Sequence, residues 1–571
     1  MANLHLAQSR RAVYAEYQRT GKPAIKLWFA YNPEDVERVK TLPGRRYYNS
    51  PTRFWTAPLR VSSLRALHEW GFDLDLRLRE YLLQDQQRIQ TAQTQTITPP
   101  TDLALYAFQE EGVRFMEVQN GRAILGDDMG TGKTVQALSW LAMHPELRRV
   151  IIVVPASVKL KWERELKTWT DRKSVQILAG EKPTEPLTAE VIILNYDILP
   201  NKYQPYLDED EHKRERELER TGWVDFLIDH KPDLVILDEA HKVKSNTAHR
   251  TKAAKKLCRG VPHVLGLTGT LVKNRPIEIY NALKLVDSPT LPNFKKFALQ
   301  YCDAKHNGFG WDYTGHSNLE ELHDNLPGWG MIRRTKAEVL PQLPQKIRSV
   351  IPLDITNRAE YDRAERDYIQ WVAETKGSKA ASRARKAEAL VRVGGLKQLA
   401  ATGKIRGVVG WIRDTLEDGR KLVVFATHKK IINLLMEEFG DIAVKLDGSV
   451  KAEARQRVVD LFQTDPAITL FVGNIQAAGE AIDLFAADRV AFVELADGPG
   501  DHDQCEDRVL RIGQTSSKMN SYYLVASNTI EERECIQMID NKRCVVEAVL
   551  DGSKTVDTAL LTTLMEEGKM K

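Results

Sequence analysis

The 571-residue chain predicts an α/β protein in which two parallel-sheet domains follow a small α+β domain. Two observations lead to this fold class. Over two long stretches, short apolar runs alternate with helical patterns, which is the order of parallel strands joined by crossover helices. Before them, a short span combines strand-like alternation, a tight turn and one helix. The length fits such a series, because single hydrophobic cores stop growing well below this size.

The small domain is predicted over residues 1–83. The run 25–31 alternates like a strand, and 47–56 is typical of a hairpin around an Asn-Ser-Pro turn. A helix is expected over 62–70. Residues 84–101 are rich in glutamine and threonine and end in two prolines, so they are predicted to be a linker.

The two larger domains are predicted over residues 102–345 and 411–535. The strands expected in the first lie at 122–125, 150–154, 191–194, 234–237 and 264–267. The strands expected in the second lie at 422–425, 442–446, 470–472, 490–493 and 522–525. A helical brace is predicted over 346–410, and a helical extension over 536–571.

Residues 126–134 read Gly-Asp-Asp-Met-Gly-Thr-Gly-Lys-Thr between a predicted strand and a predicted helix. Such a loop binds phosphate, because small residues let backbone N–H groups approach and a lysine reaches the β- and γ-oxygens. The generic pattern has glycine where this chain has Asp127. The loop residues predicted to hold the nucleotide are Asp128, Gly130, Gly132, Lys133 and Thr134.

A second motif, Asp238-Glu239-Ala240-His241, follows an apolar run that is predicted to be a buried strand. That strand delivers the two carboxylates to the carboxyl edge of a sheet, where α/β proteins bind ligands. Asp238 is predicted to bind Mg²⁺ together with Thr134, and Glu239 to polarise the attacking water. The two motifs together predict hydrolysis of ATP.

Composition limits the remaining possibilities. No run of 18 apolar residues is present, so no membrane span is expected. The five cysteines are scattered and never spaced Cys-x-x-Cys, which argues against a zinc site or a disulfide framework. Residues 1–80 hold 14 lysines and arginines against 8 acidic residues, while the rest of the chain holds 68 against 70. A polyanion contact is therefore expected in the first eighty residues, with a solvated face as the alternative.

Taken together, the motifs resemble those of SWI/SNF-type translocases, helicase-superfamily proteins with two RecA-like lobes. The resemblance covers residues 103 to 535 and adds several residues to the two motifs above. It implies that Gln109 reads adenine, that Gly479 in Ala-Gly-Glu contributes to the ATP site, and that Leu267-Thr-Gly-Thr couples hydrolysis to lobe movement.

The run from Gln504 to Gln514, Gln-Cys-Glu-Asp-Arg-Val-Leu-Arg-Ile-Gly-Gln, carries the most specific part of this resemblance. It implies that Arg511 is an arginine finger with Arg508 beside it. A planar guanidinium suits the phosphoryl-transfer transition state, and such a finger is worth roughly 10³–10⁵ in rate. If the finger comes from the second lobe, hydrolysis is conditional on closure of the lobes.

Within this family the chain is most similar to the HARP (HepA-related) annealing helicases. Met331-Ile-Arg-Arg-Thr-Lys336 and the aromatic and basic residues of the first domain carry that similarity. It implies that the first domain binds branched DNA or single-to-double-strand junctions. The residues predicted to bind DNA are Arg45, Arg46 and Arg53 in that domain, and Lys159, Asn195 and Thr427 in the lobes.

The function expected from sequence is that of an ATP-driven DNA translocase that anneals strands or remodels forks. A strand-separating helicase or a restriction- or repair-system motor is an alternative, and so is a DNA-binding clamp without turnover. A chromatin remodeller is disfavoured because nothing resembles a histone-tail reader. The expected partner is DNA with forks or single-strand junctions, and the protein is expected to be monomeric. Its expected location is a bacterial cytoplasm or a virus-infected cell, or the nucleus if the source is a eukaryote.

Overall fold

The structure is a computed structural model. It describes residues 10–17, 23–42, 47–51, 53–95, 97, 104–183, 186–204, 219–286, 291–308, 310–368, 370–371, 374, 388–450, 452–478, 482–511, 513–514, 516–552 and 560–570. The chain divides into two compact units. The first unit takes residues up to 127, 132–271 and 277–333, and the second takes 128–131, 272–276 and 334 onwards.

The small domain is an α+β domain inside the first unit. Its strands form one mixed sheet in the order β3-β4-β2-β1-β5. The strands are β1 (Arg11–Glu16), β2 (Pro23–Trp28), β3 (Tyr47–Asn49), β4 (Phe54–Pro58) and β5 (Asp73–Leu74), and the helices are α1 (Pro33–Thr41), α2 (Val61–Glu69) and α3 (Leu76–Thr94). The hairpin and the helix predicted near 47–56 and 62–70 are present, whereas strand β1 was not predicted.

Helix α3 corrects the linker that the sequence predicted over 84–101, because the helix continues to Thr94. Asp75 caps it by accepting a hydrogen bond from Leu78 N at 2.8 Å, and Leu78 and Leu82 are buried one turn apart. Glutamine is also a good helix former. The glutamine-rich composition therefore belongs to an exposed helical face and not to a loop.

The first lobe, residues 104–333 of the first unit, contains a parallel sheet in the order β16-β6-β13-β12-β7-β9-β8. The strands are β6 (Arg122–Leu125), β7 (Val150–Val154), β8 (Val175–Ile177), β9 (Val191–Asn195), β12 (Leu234–Asp238), β13 (His263–Leu267) and β16 (Met331–Ile332), with the hairpins β10 (Lys202–Gln204)–β11 (Glu219–Thr221) and β14 (Lys305–His306)–β15 (Trp311–Asp312) beside them. The helices are α4 (Ala107–Val118), α5 (Lys133–Ala142), α6 (Lys159–Trp169), α7 (Val224–Asp229), α8 (His249–Cys258), α9 (Ile277–Val286), α10 (Phe294–Tyr301) and α11 (Leu319–Asn325).

The second lobe lies in the second unit and contains a parallel sheet in the order β17-β22-β21-β18-β20-β19. The strands are β17 (Gln345–Leu353), β18 (Leu422–Ala426), β19 (Ala443–Leu446), β20 (Leu470–Asn474), β21 (Arg489–Phe492) and β22 (Lys518–Ala526). The helices are α12 (Lys336–Val339), α13 (Arg358–Arg366), α14 (Glu388–Gly403), α15 (Ile405–Leu416), α16 (Lys429–Phe439), α17 (Ala452–Thr464), α18 (Ile475–Ala478), α19 (Pro499–Val509), α20 (Ile536–Leu550) and α21 (Leu560–Met570).

The two parallel sheets confirm the predicted fold class of paired RecA-like lobes behind an α+β domain. Strand β17 corrects the helical brace predicted to begin at residue 346, because it pairs in parallel with β22 along its whole length. Its Lys346 and Arg348 pair with the buried Glu506, so charges occupy positions where the sequence pattern leads one to expect apolar residues. No helix within the described part of the chain combines the length and apolar character needed to cross a membrane.

Candidate nucleotide site

The loop between β6 and α5, residues 126–132, is shaped by two glycines with left-handed backbone. Gly130 has φ +83° and Gly132 has φ +78°, conformations that L side chains rarely adopt. Gly132 is the N-cap of helix α5, so the first N–H groups of that helix point towards the loop. Lys133, the first residue of α5, donates from Nζ to the carbonyl of Asp127 at 2.8 Å. The loop therefore has the backbone geometry of a phosphate-binding turn.

Asp127, which stands where the generic pattern has glycine, is fully buried. Gln136 of helix α5 donates from Nε2 to its carboxylate at 3.4 Å. The aspartate thus ties the loop to the helix that follows it. The departure from the generic pattern is accommodated by this contact and leaves the two left-handed glycines unchanged.

Gln109, predicted to read adenine, is buried on helix α4 and lies against the loop. Its Nε2 occupies the space where a Cβ on Gly132 would stand, so any larger residue there would collide with it. Its Oε1 accepts a hydrogen bond from Tyr106 N at 3.1 Å, which fixes the orientation of the amide. The structure thus brings Gln109 and the phosphate loop together, while the adenine-reading role stays a prediction.

Asp238 ends strand β12 at the carboxyl edge of the sheet. Trp162 donates from Nε1 to its Oδ2 at 2.7 Å, and the backbone N–H of Glu239 donates to its Oδ1 at 2.9 Å. Burial first, and then the charge of Glu239, raise the pKa of Asp238 to about 6, and the charge of Lys133 acts in the opposite direction. Two adjacent carboxylates in a half-buried site favour a cation there.

Trp162, which is not among the predicted site residues, contacts Asp238. The tryptophan lies on helix α6 and is almost completely buried. Tyr196, which is also not among the predicted site residues, donates a hydrogen bond from its hydroxyl to the carbonyl of Asp238 at 2.7 Å. These two aromatic residues hold the metal-binding candidate from two sides.

Glu239 has φ +49°, a left-handed conformation that is uncommon for a residue with a side chain. Such strain persists where the surrounding structure determines it, and it is frequent at functional sites. His241 Nδ1 lies 3.1 Å from Glu239 Oε2 and 3.2 Å from Thr268 Oγ1. The candidate catalytic carboxylate is thereby connected to the Leu-Thr-Gly-Thr segment that the resemblance links with lobe movement.

The donors predicted to hold magnesium fit that ion. Mg²⁺ prefers oxygen ligands and is usually bound by one or two carboxylates plus substrate phosphates. Asp238 supplies a carboxylate whose raised pKa indicates unfavourable crowding of negative charge, and Thr134 supplies a hydroxyl at the start of α5. A divalent cation would relieve that crowding.

In the second lobe, the two predicted arginines lie at the C-terminal end of helix α19. Arg508 is buried, and Arg511 lies just beyond the helix. The guanidinium of Arg511 pairs with Asp483, and its Nε donates to the carbonyl of Asp507 at 3.1 Å. Within the second unit, which includes residues 128–131, a Cβ built on Gly130 would lie 3.5 Å from Arg511 Cγ. The finger role of Arg511 and Arg508 stays a prediction.

Lys336 is a buried residue whose importance sequence reasoning missed. Its backbone N–H donates to Asp128 Oδ2 at 2.8 Å, and its Nζ donates to the carbonyl of Leu510 at 2.8 Å and pairs with Asp507 at 3.0 Å. Burial lowers the pKa of Lys336 to about 8. Lys336 thus contacts Asp128 of the loop through its backbone and the segment around Arg508 and Arg511 through its side chain, and only its place in the Met-Ile-Arg-Arg-Thr-Lys run hinted at it.

The predicted DNA-binding residues that the structure describes belong to different elements of the fold. Arg53 is exposed with φ +51°, next to strand β4. Lys159 is half-buried and donates from Nζ to the carbonyl of Leu178 at 3.0 Å. Asn195 is buried and donates to Asp197 at 3.3 Å, whereas Thr427 is exposed after β18. The remaining predicted residues, Arg45, Arg46 and Gly479, lie outside the described residues.

Two sequence families match this chain. The SNF2-related domain matches residues 108–396, and the helicase conserved C-terminal domain matches residues 404–513. They follow one another in the same order as the two lobes. The resemblance to SWI/SNF-type translocases is confirmed.

Among curated relatives, the SWI/SNF-related matrix-associated actin-dependent regulator of chromatin subfamily A-like protein 1 of Xenopus tropicalis is 35% identical over 440 residues, which cover 75% of this chain and 43% of that protein. The DNA annealing helicase and endonuclease ZRANB3 of Homo sapiens is 32% identical over 467 residues, which cover 79% of this chain and 41% of that protein. The chain therefore spans less than half the length of these relatives.

A solved structure titled as the Sulfolobus solfataricus SWI2/SNF2 ATPase core in complex with dsDNA matches with a TM-score of 0.35 and 21% identity, over 83% of this chain and 98% of that one.

The SNF2-related domain alone accounts for just over half of the residues of this chain. The chain therefore belongs to the SNF2-related family.

Proposed function

We propose that the chain is an ATP-dependent DNA translocase that acts on branched or forked DNA, annealing strands or remodelling forks. The observation that carries the proposal is the geometry of the first lobe. There, one sheet edge holds the phosphate-binding turn, Gln109 against that turn, and the Asp238–Glu239 pair fixed by Trp162. This combination supports hydrolysis of a nucleoside triphosphate, since it places phosphate-binding groups and a pair of carboxylates at the same edge of the sheet.

In the proposed reaction, backbone N–H groups of the loop and the Lys133 ammonium bind the phosphates, and Gln109 orients the base. Glu239 holds the attacking water in line with the γ-phosphate and accepts its proton. Asp238 and Thr134 would hold Mg²⁺, which supplies charge neutralisation for the phosphates. Trp162 keeps the Asp238 carboxylate in one orientation by its hydrogen bond.

The second lobe is proposed to supply Arg511 to the developing charge on the phosphates. In this structure the guanidinium pairs with Asp483, so the reaction requires an exchange of one anionic partner for another. The exchange makes turnover depend on the conformation of the protein.

DNA is proposed as the substrate because of the name of one relative, and forked DNA because annealing acts where single strands meet a duplex. That relative is named a DNA annealing helicase, and both of the relatives described above match over three quarters of this chain. Exposed Arg53 and Thr427 are available for phosphate contacts, whereas Lys159 and Asn195 would have to leave their present partners first. Phosphate contacts of this type position a protein without reading sequence.

The experiment that tests the proposal is ATP turnover with single-stranded, duplex and forked DNA. We expect stimulation by DNA, strongest with the fork, and loss of turnover in Lys133→Ala. Lys252→Ala, an exposed lysine of helix α8 in the same lobe, is the matched control. Absence of stimulation by every DNA would refute the proposal.

The same assay separates the alternative outcomes when the fork carries a labelled strand. Annealing of complementary strands coated with single-strand-binding protein supports the proposed outcome. ATP-dependent release of the labelled strand would indicate a strand-separating helicase or a restriction- or repair-system motor instead. DNA binding without phosphate release would indicate a clamp.

A further inference from the structure

A large basic cavity lies in the first unit, away from the nucleotide-binding turn. Its volume is about 1200 Å³. Helices α2 and α3 of the small domain line one side, and the residues that precede strands β6, β13 and β16 line the other. These strands are neighbours in the sheet. Because Asp238 follows the carboxyl end of β12 in that sheet, the cavity occupies the opposite, amino edge.

The charge of the lining is strongly unbalanced. Seven arginine and lysine side chains line the cavity, against two carboxylates, Glu69 and Asp85. Asp85 pairs with both Arg65 and Arg88, and it lies 2.8 Å from Arg88 Nη2. One carboxylate therefore serves two guanidinium groups, and the small domain contributes net positive charge to its side of the cavity.

On the lobe side of the cavity, two cations donate hydrogen bonds to neutral groups. Arg122 donates to backbone carbonyls at 2.6 to 3.3 Å, and Lys255 donates to the amide oxygens of Asn246 and Asn281 at 2.9 and 2.6 Å. Such bonds fix the positions of these side chains. Burial, followed by the charge of Lys284, lowers the pKa of Lys255, as expected where positive charges gather.

The cavity also has an accessible rim and an aromatic face. Arg259 and Lys284 are exposed where they line it, and the ring of Phe294 is half-buried. Sites for small molecules usually occupy about 300–1,000 Å³, so this cavity exceeds that range. A basic groove with an aromatic ring is the arrangement that binds single-stranded nucleic acid, in which phosphates meet the cations and bases stack on the ring.

We infer that this cavity binds a single strand of DNA through its phosphodiester backbone, as a second DNA site on the edge of the sheet opposite the nucleotide. The inference rests on the proposed function, because it supplies the place where an unpaired arm of a fork would be held. The cavity also accounts for part of the excess of basic over acidic residues among the first eighty residues, because Arg60 and Arg65 line it.

The test is the double charge reversal Arg259→Glu/Lys284→Glu in the full chain. Both side chains are exposed, so the fold should tolerate the change, and equal thermal unfolding midpoints would verify this. The matched control is Lys173→Glu/Lys252→Glu, two exposed lysines of the same lobe outside the cavity. Affinity for a fluorescein-labelled oligodeoxythymidylate is measured by anisotropy across a series of potassium chloride concentrations.

We expect the double reversal to weaken single-strand binding by at least about tenfold and to reduce the salt slope of the affinity by about 1.4, as two lost phosphate contacts require. Binding of a blunt duplex and duplex-stimulated ATP turnover should match the control. Single-strand binding equal to that of the control would overturn the inference. An equal loss of affinity for single-stranded and duplex DNA would also overturn it, because the substitutions would then act through the overall charge of the protein and not through a single-strand site.

Two further outcomes keep this inference distinct from the proposed function. If the wild-type chain shows no DNA-stimulated turnover but the double reversal still weakens single-strand binding, the proposed function fails and the cavity assignment stands. If pyrophosphate displaces the oligonucleotide at an equal concentration of phosphate groups, the cavity is a site for small polyanions, and the assignment to a DNA strand is wrong.

Discussion

The carboxyl edges of the two sheets each carry a buried or half-buried carboxylate, and the two groups have opposite environments. Asp238 at the end of β12 faces Glu239, and its pKa is raised to about 6 by burial and by that neighbour. Glu494, just after β21, accepts hydrogen bonds from the backbone N–H groups of Thr427 and His428 at 2.8 Å and pairs with the His428 ring. Burial works against its charge, but these partners outweigh burial and lower its pKa.

The difference separates a carboxylate suited to binding from one suited to structure. Glu494 already has the donors that an ionised group needs, so its charge stabilises the loop after β18. Asp238 carries a charge that the folded protein disfavours, which is the condition for recruiting a cation. The two lobes share a strand order, and each has a carboxylate at the carboxyl end of an equivalent strand, β12 or β21, but the environments of the two carboxylates suit different roles.

Glu494 is a structural carboxylate, so we expect the second lobe to contribute to hydrolysis through the charge of Arg511. We expect Arg511→Ala to lower ATP turnover on forked DNA by about 10³–10⁵-fold while nucleotide binding persists, because an arginine finger acts on the transition state. Arg413→Ala, an exposed arginine of the same lobe, is the control. Turnover within tenfold of the control would remove Arg511 from the site.

Replacing Asp238, the carboxylate proposed to bind the cation, should affect activity more than stability. We expect Asp238→Asn to reduce turnover by about 10²-fold or more, since metal-based charge stabilisation is worth several kcal/mol. Its thermal unfolding midpoint should stay close to that of the wild type, because removal of a disfavoured charge offsets the one hydrogen bond, from Trp162 or from the Glu239 N–H, that an amide can no longer accept. Asp229→Asn, an exposed carboxylate of the same lobe, controls for the substitution. A clear fall in the unfolding midpoint would show that Asp238 is a structural carboxylate after all.

Replacing Glu494, the structural carboxylate, should affect stability more than activity. Glu494→Gln leaves amide hydrogens facing the donors of the loop after β18, so we expect the chain to lose about 1–3 kcal/mol of stability. Turnover at low temperature should change less than in Asp238→Asn. The measurement is chemical denaturation, with the exposed Glu437→Gln as control. Unchanged stability together with lost turnover would place Glu494 in the reaction.

The smallest expected effect is a pH dependence of the His428–Glu494 pair. The hydrogen bond to Glu494 raises the pKa of His428 above 6.5. A histidine with a raised folded pKa contributes stability that is full below its unfolded pKa and is lost as pH rises through the folded value. The difference in unfolding midpoint between wild type and His428→Gln should therefore shrink from pH 6 to pH 8. A difference that is constant with pH would contradict a charged pair.

The parts of the molecule that the sequence predicts well are those governed by local pattern. Buried strands such as Val150–Val154 are uninterrupted apolar runs, and Asp238 and Glu239 follow one of them directly. Helix α3 was missed because its glutamine-rich face resembles a loop, although Leu78 and Leu82 follow helical spacing. Strand β17 was missed because its charged residues meet partners on α19 that are distant in sequence.

The candidate site likewise combines features that local sequence predicts with features that depend on contacts between distant residues. The left-handed glycines and the carboxylates were visible as motifs, since their spacing along the chain is what the chemistry requires. The bond from Trp162 to Asp238, the contacts of Lys336 and the basic cavity depend on residues brought together by folding. A local window of sequence does not reveal contacts between residues that are distant along the chain.

The central claim is that the Asp238–Glu239 edge of the first lobe hydrolyses ATP. The most direct measurement is phosphate release by Glu239→Gln in the presence of forked DNA, beside binding of the same DNA by the same protein. We predict that turnover falls by about 10²–10⁴-fold, as for loss of a general base, with DNA affinity unchanged. Phosphate release at the wild-type rate by the purified variant would contradict the account.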